Sequence, residues 1–195
     1  MAQEDSSASS SPEGDALPQL SPSEFRIYNR MSEKMNLIHN QFRFLWTQLK
    51  DSCSLGTSTS TSADPNPATN NALYLLTDDD DFILTGLGFC SGLSGHHSIE
   101  EWYIFPQLAL RMPEFTDGDI LKEQHRRIHT GLVRMEKYLE RCGEGEMQLD
   151  RAEVKRVMDG FGDVLWEHLN DEVVILRAEN MRKYWSLEEM EKLPI

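Results

Sequence analysis

Apolar residues recur at steps of three and four along four stretches of the chain, the period of helices that bury one face. The first stripe is Tyr28, Met31, Met35, Ile38, Phe42, Trp46 and Leu49, and Ser21-Pro22-Ser23-Glu24 supplies a cap and a first-turn proline ahead of it. A second helix is predicted from about Asp80 to Phe105, with Phe82, Phe89, Leu93, His96, Glu100 and Tyr103 on one face. Asp78 to Asp81 place acidic charge at its start, where helix amides favour it; a calcium loop would need alternating oxygen ligands and a turn glycine. Gly86, Gly88, Gly92 and Gly95 predict close approach of a neighbouring helix, and Pro106 ends or kinks this one. The third stripe, from near Thr116 or Asp117, is Leu121, His125, Ile128, His129, Leu132, Met135 and Leu139, with Gly143 placed to stop it. The fourth opens with Asp150-Arg151-Ala152-Glu153 and continues as Val154, Met158, Phe161, Leu165, His168, Glu172 and Ile175. Ser186-Leu187-Glu188-Glu189 starts a short last helix expected to pack on the outside.

The remaining segments are polar. Residues 1–20 are Ser-rich and are predicted to be a disordered tail. Residues 51–72 form a long Ser/Thr/Asp/Pro loop that is either disordered or covers something. The expectation is an all-α protein: an up-down four-helix bundle over 21–195, with a disordered N-terminal tail and a short extra C-terminal helix.

Charge narrows the partners. The formal net charge is −14, from 33 acidic and 19 basic residues, which disfavours nucleic acid and anionic membranes. Cys53, Cys90 and Cys142 form no CxxC motif and no disulfide framework, so they read as reduced thiols. Neither a leader-like start nor a bilayer-length apolar run stands out, so the expected location is cytoplasmic, with nuclear access left open.

The polar residues on the stripes carry the chemistry. His96 and Glu100, His125 and His129, and His168 and Glu172 each stand four apart, one turn along a helix face, and His39 lies at the edge of the first stripe. Any one pair is explained by a surface contact. Five histidines and two glutamates on the inward faces of four helices are not, because burying them without partners is costly. Imidazole and carboxylate suit first-row transition metals, and no cysteine or methionine joins the pattern. Seven donors exceed the about four that a zinc ion takes. They suit two irons sharing bridges, with Glu100 and Glu172 reaching both ions from different helices. His97 is read as turned off the face, into a second shell or solvent, and Glu101 and Trp102 are not read as ligands.

His39, His96-His97-x-x-Glu100-Glu101-x-x-x-Phe105-Pro106, His125, His129 and His168-x-x-x-Glu172 resemble the hemerythrin-like (HHE cation-binding) family over roughly residues 25–180. The resemblance implies an up-down four-helix bundle around a non-haem di-iron centre. It implies one iron held by His125, His129 and His168, and a second held by His39 and His96 with an open position. Glu100 and Glu172 would bridge. The oxygen carriers of that family end instead with histidine and aspartate one residue farther apart. This ending, the tail and the long loop resemble the intracellular non-carrier branch, such as versions found in fungi, and argue against reversible oxygen transport.

Three functions fit these residues. The first is a binding protein that takes dioxygen, nitric oxide or peroxide at the open iron, for storage, sensing or scavenging. The second is a di-iron enzyme that uses oxygen on a small organic substrate, with the long loop over a pocket. Histidine-rich ligation places it behind the first. The third is an iron-responsive module whose fold depends on metal.

Overall fold

The computed structural model describes residues 17–54, 75–116 and 120–194, and every regular element among them is helical. Most of the expected tail and loop, and residues 117–119 at the expected start of the third helix, lie outside the described residues. Helix α1 spans Pro22–Ser52. The Ser21 hydroxyl accepts from the Glu24 amide, and the Glu24 carboxylate accepts from the Ser21 amide at 2.8 Å, so the first turn is closed from both sides. Its far end runs into the segment expected to be loop. Ser52 is buried there because its hydroxyl donates to the Gln48 carbonyl and accepts from the Leu76 amide at 2.9 Å.

Helix α2, Asp79–Ile99, starts on the Asp78 carboxylate, which accepts from the Asp80 and Asp81 amides. It passes into a π-helical turn, Glu100–Ile104, and then into the short helix α3, Phe105–Leu108. Pro106 is the physical reason: its ring would meet the carbonyl four residues back in an α-helix, and widening the turn relieves that contact. The wider turn also shifts the register. Tyr103, expected to face inward, is 69% exposed, and Ile104 and Phe105 are buried instead.

A 3-10 turn, Pro113–Phe115, leads to α4, Ile120–Gly143. The expected fourth helix is two: α5, Arg151–Asp159, and α6, Gly162–Ile175, broken at Gly160-Phe161. At this break the Phe161 ring lies on the bare backbone of Gly131, and Trp46 lies against Gly162 and edge-on to Phe161 at 5.1 Å. Gly86 of α2 likewise admits Leu139 of α4, whereas Gly88 and Gly95 face no neighbour within 4 Å, contrary to expectation. Helix α7, Ala178–Tyr184, was not foreseen. Helix α8, Leu187–Met190, begins on the Ser186–Glu189 capping box, but it fully buries Met190 rather than resting outside.

Helix α1 packs on α2 and α6, α2 packs on α4, and α4 packs on α6, which closes a ring of four. Two apolar clusters fill it. One holds Phe42, Trp46, Leu93, Ile128 and Leu165; the other holds Met35, Ile104, Phe105, Leu121 and Leu176. On every helix of the ring the polar stripe residues fall between members of the two clusters. His39 lies between Met35 and Phe42, His125 between Leu121 and Ile128, and His168 and Glu172 between Leu165 and Leu176. No helix among the described residues is long and apolar enough to cross a membrane.

Candidate metal centre

The polar layer is built from α1, α2 with its π turn, α4 and α6. Helix α2 packs on both α1 and α4, so a wide arc of it is covered, and the adjacent His96 and His97 face different neighbours. His96 meets His39 of α1, with the two Nε2 atoms 3.1 Å apart. His97 stacks on His125 of α4, with ring centres 3.9 Å apart and planes at 12°. Glu100 stands between the two pairs. Its Oε1 lies 2.9 Å from His96 Nε2 and its Oε2 lies 3.4 Å from His125 Nε2. From α6, Glu172 Oε2 lies 3.3 Å from His39 Nε2 and 3.9 Å from His168 Nε2. Two four-residue groups result: His97, Glu100, His125 and His168, and His39, His96, Glu100 and Glu172. Within each, one donor atom per residue lies within 4.8 Å of the others, and Glu100 belongs to both.

Six of the seven residues singled out in the sequence are gathered here: His39, His96, Glu100, His125, His168 and Glu172. His129 is not. It is exposed and lines a cavity of about 420 Å³ between α2 and α4, together with Glu101, His97 and His125. His97, expected off the face, is buried within the layer in its place. The reason is register. The buried seam of α4 runs Leu121, His125, Ile128, Leu132, Met135 and Leu139, alternating steps of four and three, and passes over His129. On α2, Ile83, Cys90 and His97 are all buried at heptad spacing, a second seam beside the expected one. That spacing is the signal in the sequence that points to His97.

The electrostatics favour a cation. His39 Nδ1–H donates to the Leu169 carbonyl at 3.0 Å, and His125 Nδ1–H donates to the Glu101 carboxylate at 2.7 Å. Each of these imidazoles therefore turns its Nε2 inward. Burial pushes His96 down to about 3 and holds His97 and His168 well below the ordinary range. Burial also lowers His125, against the pull of Glu101. Burial, and then the charge of Glu172, hold the Glu100 carboxyl well above its usual value. Among the described residues, both oxygens of Glu100 and of Glu172, His97 Nε2 and His168 Nδ1 are buried without a hydrogen-bond partner. Neutral imidazoles and unpartnered carboxylates pointing at one another are a costly arrangement that a metal ion relieves. The donor set of nitrogen and oxygen without sulfur fits first-row transition metals, and neither group includes Cys53, Cys90 or Cys142.

Fold and site together define a helical protein with a buried histidine–glutamate cluster able to bind metal. The chain matches the hemerythrin HHE cation binding domain over residues 68–177, more than half its length, and it belongs to that family. The matched span contains every residue of the two groups except His39, which α1 contributes. Among curated relatives, the chain is similar to the dimeric xanthone biosynthesis cluster protein R11 of Cryptosporiopsis sp. (strain 8999), 26% identical over 100 residues. That match covers 48% of this chain and 37% of the relative, so the chain spans little more than a third of it. No solved structure matches the chain.

Proposed function

We propose that the four-helix ring is an up-down bundle that holds two iron ions, one per donor group, bridged by Glu100 and by Glu172. His97, His125 and His168 would hold one ion. His39 and His96 would hold the other, with fewer protein donors and therefore an open position. At that position the protein binds dioxygen, nitric oxide or peroxide. His129 has no part in this set. The observation that carries the reading is the single carboxylate, Glu100, whose two oxygens face imidazoles of different groups.

The surroundings favour a diatomic-sized ligand over an organic substrate. Side chains of His39, Glu100, His168 and Glu172 are wholly inaccessible, while His96 retains 9% exposure. The cavity beside His129 is lined by His97 and His125 but by no other member of the two groups. Iron supplies redox-active coordination when bound. The chain's own groups exclude water, disfavour protonation of His96, His97, His125 and His168 by burial, and orient His39 and His125 through their Nδ1–H hydrogen bonds. An enzyme acting on a small organic molecule is the second reading. The relative named for a biosynthesis cluster and the room in that cavity favour it.

The test is metal content followed by spectroscopy. The protein from its own host should carry two irons per chain. Mixing the anaerobic ferrous form with dioxygen should give a persistent visible band that fades when oxygen is withdrawn. Rapid bleaching with consumption of an added organic compound would favour the enzyme. One metal or none per chain would overturn the two-iron reading.

A further inference from the structure

The two inward-turned imidazoles are oriented by unlike partners, and the difference falls on opposite ends of the cluster. At the His97–His125–His168 end, His125 Nδ1–H donates to a carboxylate, Glu101, at 2.7 Å. At the other end, His39 Nδ1–H donates to a neutral carbonyl, that of Leu169, at 3.0 Å. The same carbonyl also accepts from the guanidinium of Arg43 at 2.8 Å, which draws electron density away from His39 and brings a positive charge near it. A carboxylate partner makes an imidazole a stronger donor, and it adds a negative charge beside the ion that the imidazole holds. Both differences act in one direction, towards a higher positive charge at the His125 end.

Glu101 is outside both donor groups, and its side chain is 45% exposed on the wall of the cavity between α2 and α4. Its position follows from the chain. It is the second residue of the widened turn, directly after Glu100, so neighbouring carboxylates point one into the cluster and one around the back of His125. We propose that Glu101 is a positioning residue that makes the two irons electrically unequal, holding the one at the His97–His125–His168 end in the ferric state to lower potentials than its neighbour. This inference rests on the two-iron reading, and the experiment separates the two.

The full-length chain is loaded with iron, its iron per chain is measured, and it is reduced stepwise with mediators under anaerobic conditions. The wild type is expected to hold two irons and to reduce in two separated one-electron steps. Glu101→Gln keeps the shape and hydrogen-bonding reach of the side chain but removes its charge. This variant should retain two irons and raise only the lower step, by about tenfold in the ferric-to-ferrous ratio at fixed potential, or about 59 mV. Glu101→Asp, which keeps the charge, should restore most of that shift. Two bound irons with both steps unmoved in Glu101→Gln, or both moved equally, overturn the inference and leave the two-iron reading standing. Loss of an iron in Glu101→Gln also overturns it, because Glu101 would then hold metal. A wild-type chain with fewer than two irons removes both.

Discussion

Exchanging His97 for alanine, alongside the same exchange at His129, separates the donor set read from the structure from the one read from the sequence. His97 is buried and belongs to a group of four donors; His129 is exposed and belongs to neither group. Removing a group that merely supports a ligand already weakens metal binding by roughly 10- to 100-fold, and loss of a donor should reach at least the upper figure. An ion present at about 100 times its dissociation constant stabilises the folded chain by about 2.7 kcal/mol. After a hundredfold loss of affinity the same ion contributes roughly 0.4 kcal/mol, a fall of about 2.3 kcal/mol by the same relation. For a chain of this size that lowers the melting temperature by roughly 5–9 °C. The assay is iron per chain by elemental analysis, with thermal unfolding followed by circular dichroism at matched free iron. His97→Ala should lose about half an iron or more and melt lower, whereas His129→Ala should keep its iron and its melting temperature within error. Loss of an iron in His129→Ala, with His97→Ala unaffected, would refute the placement of both residues.

Other consequences follow from the packing and the charges. Gly131→Ala places a methyl 2.2 Å from Phe161 Cδ1 and 2.9 Å from its Cβ, and the base of a side chain has little room to swing away. A loss of about 1–3 kcal/mol is expected, read by urea unfolding of the metal-free chain. The Arg151 guanidinium donates to the carbonyls of Ser52, Leu76 and Thr77 and to the Asp79 carboxylate, and it lies over the Phe82 ring. Arg151→Lys keeps the charge but not the planar fork, so it should cost nearly as much as Arg151→Ala, roughly 2 kcal/mol in the same titration. Full recovery by lysine would contradict this. The pH dependence has a definite sign. Because folding depresses the titration of His96 to about 3, and holds His97 and His168 well below the ordinary range, these groups take up protons in the unfolded chain first. Their effect is absent above about pH 6.5 and grows as pH falls from there towards 3. Glu100, held above its usual value, works the other way because the folded chain takes up that proton first, but it is one group against three. The metal-free chain should therefore still lose stability on acidification from about pH 6.5 towards 5, and a rise in stability over that interval would count against neutral buried imidazoles.

The sequence and the structure diverge where local geometry changes the helix register. Ser21 and Glu24, Asp78 and the Ser186–Glu189 box appear as helix starts in both, because capping depends on residues close in sequence. His39, His96, Glu100, His125, His168 and Glu172 were legible because they replace apolar residues on otherwise regular stripes. The burial of His97 was not foreseen because a single-stripe reading assumes that a helix buries one neighbour's width, whereas α2 is covered by two. His129 was expected to face inward because it stands four residues from His125, but the alternating four-three seam of α4 lands on Ile128 and leaves His129 exposed. The interruption at Pro106 was legible, but its form as a π turn that shifts the register, and the break before Gly162, escaped for another reason. Both are settled by distant side chains or by backbone crowding rather than by the period of hydrophobicity.

The donor residues form a hydrophilic seam across the interior, with oil-like packing above and below it. Without ions, that seam is a fault plane: carboxylates and imidazoles there offer the two halves little mutual adhesion. Bound metal would act as a rivet through the plane. Heating should then melt the stripped protein in two stages and the loaded protein in one, so the sharpness of melting would report on metal occupancy.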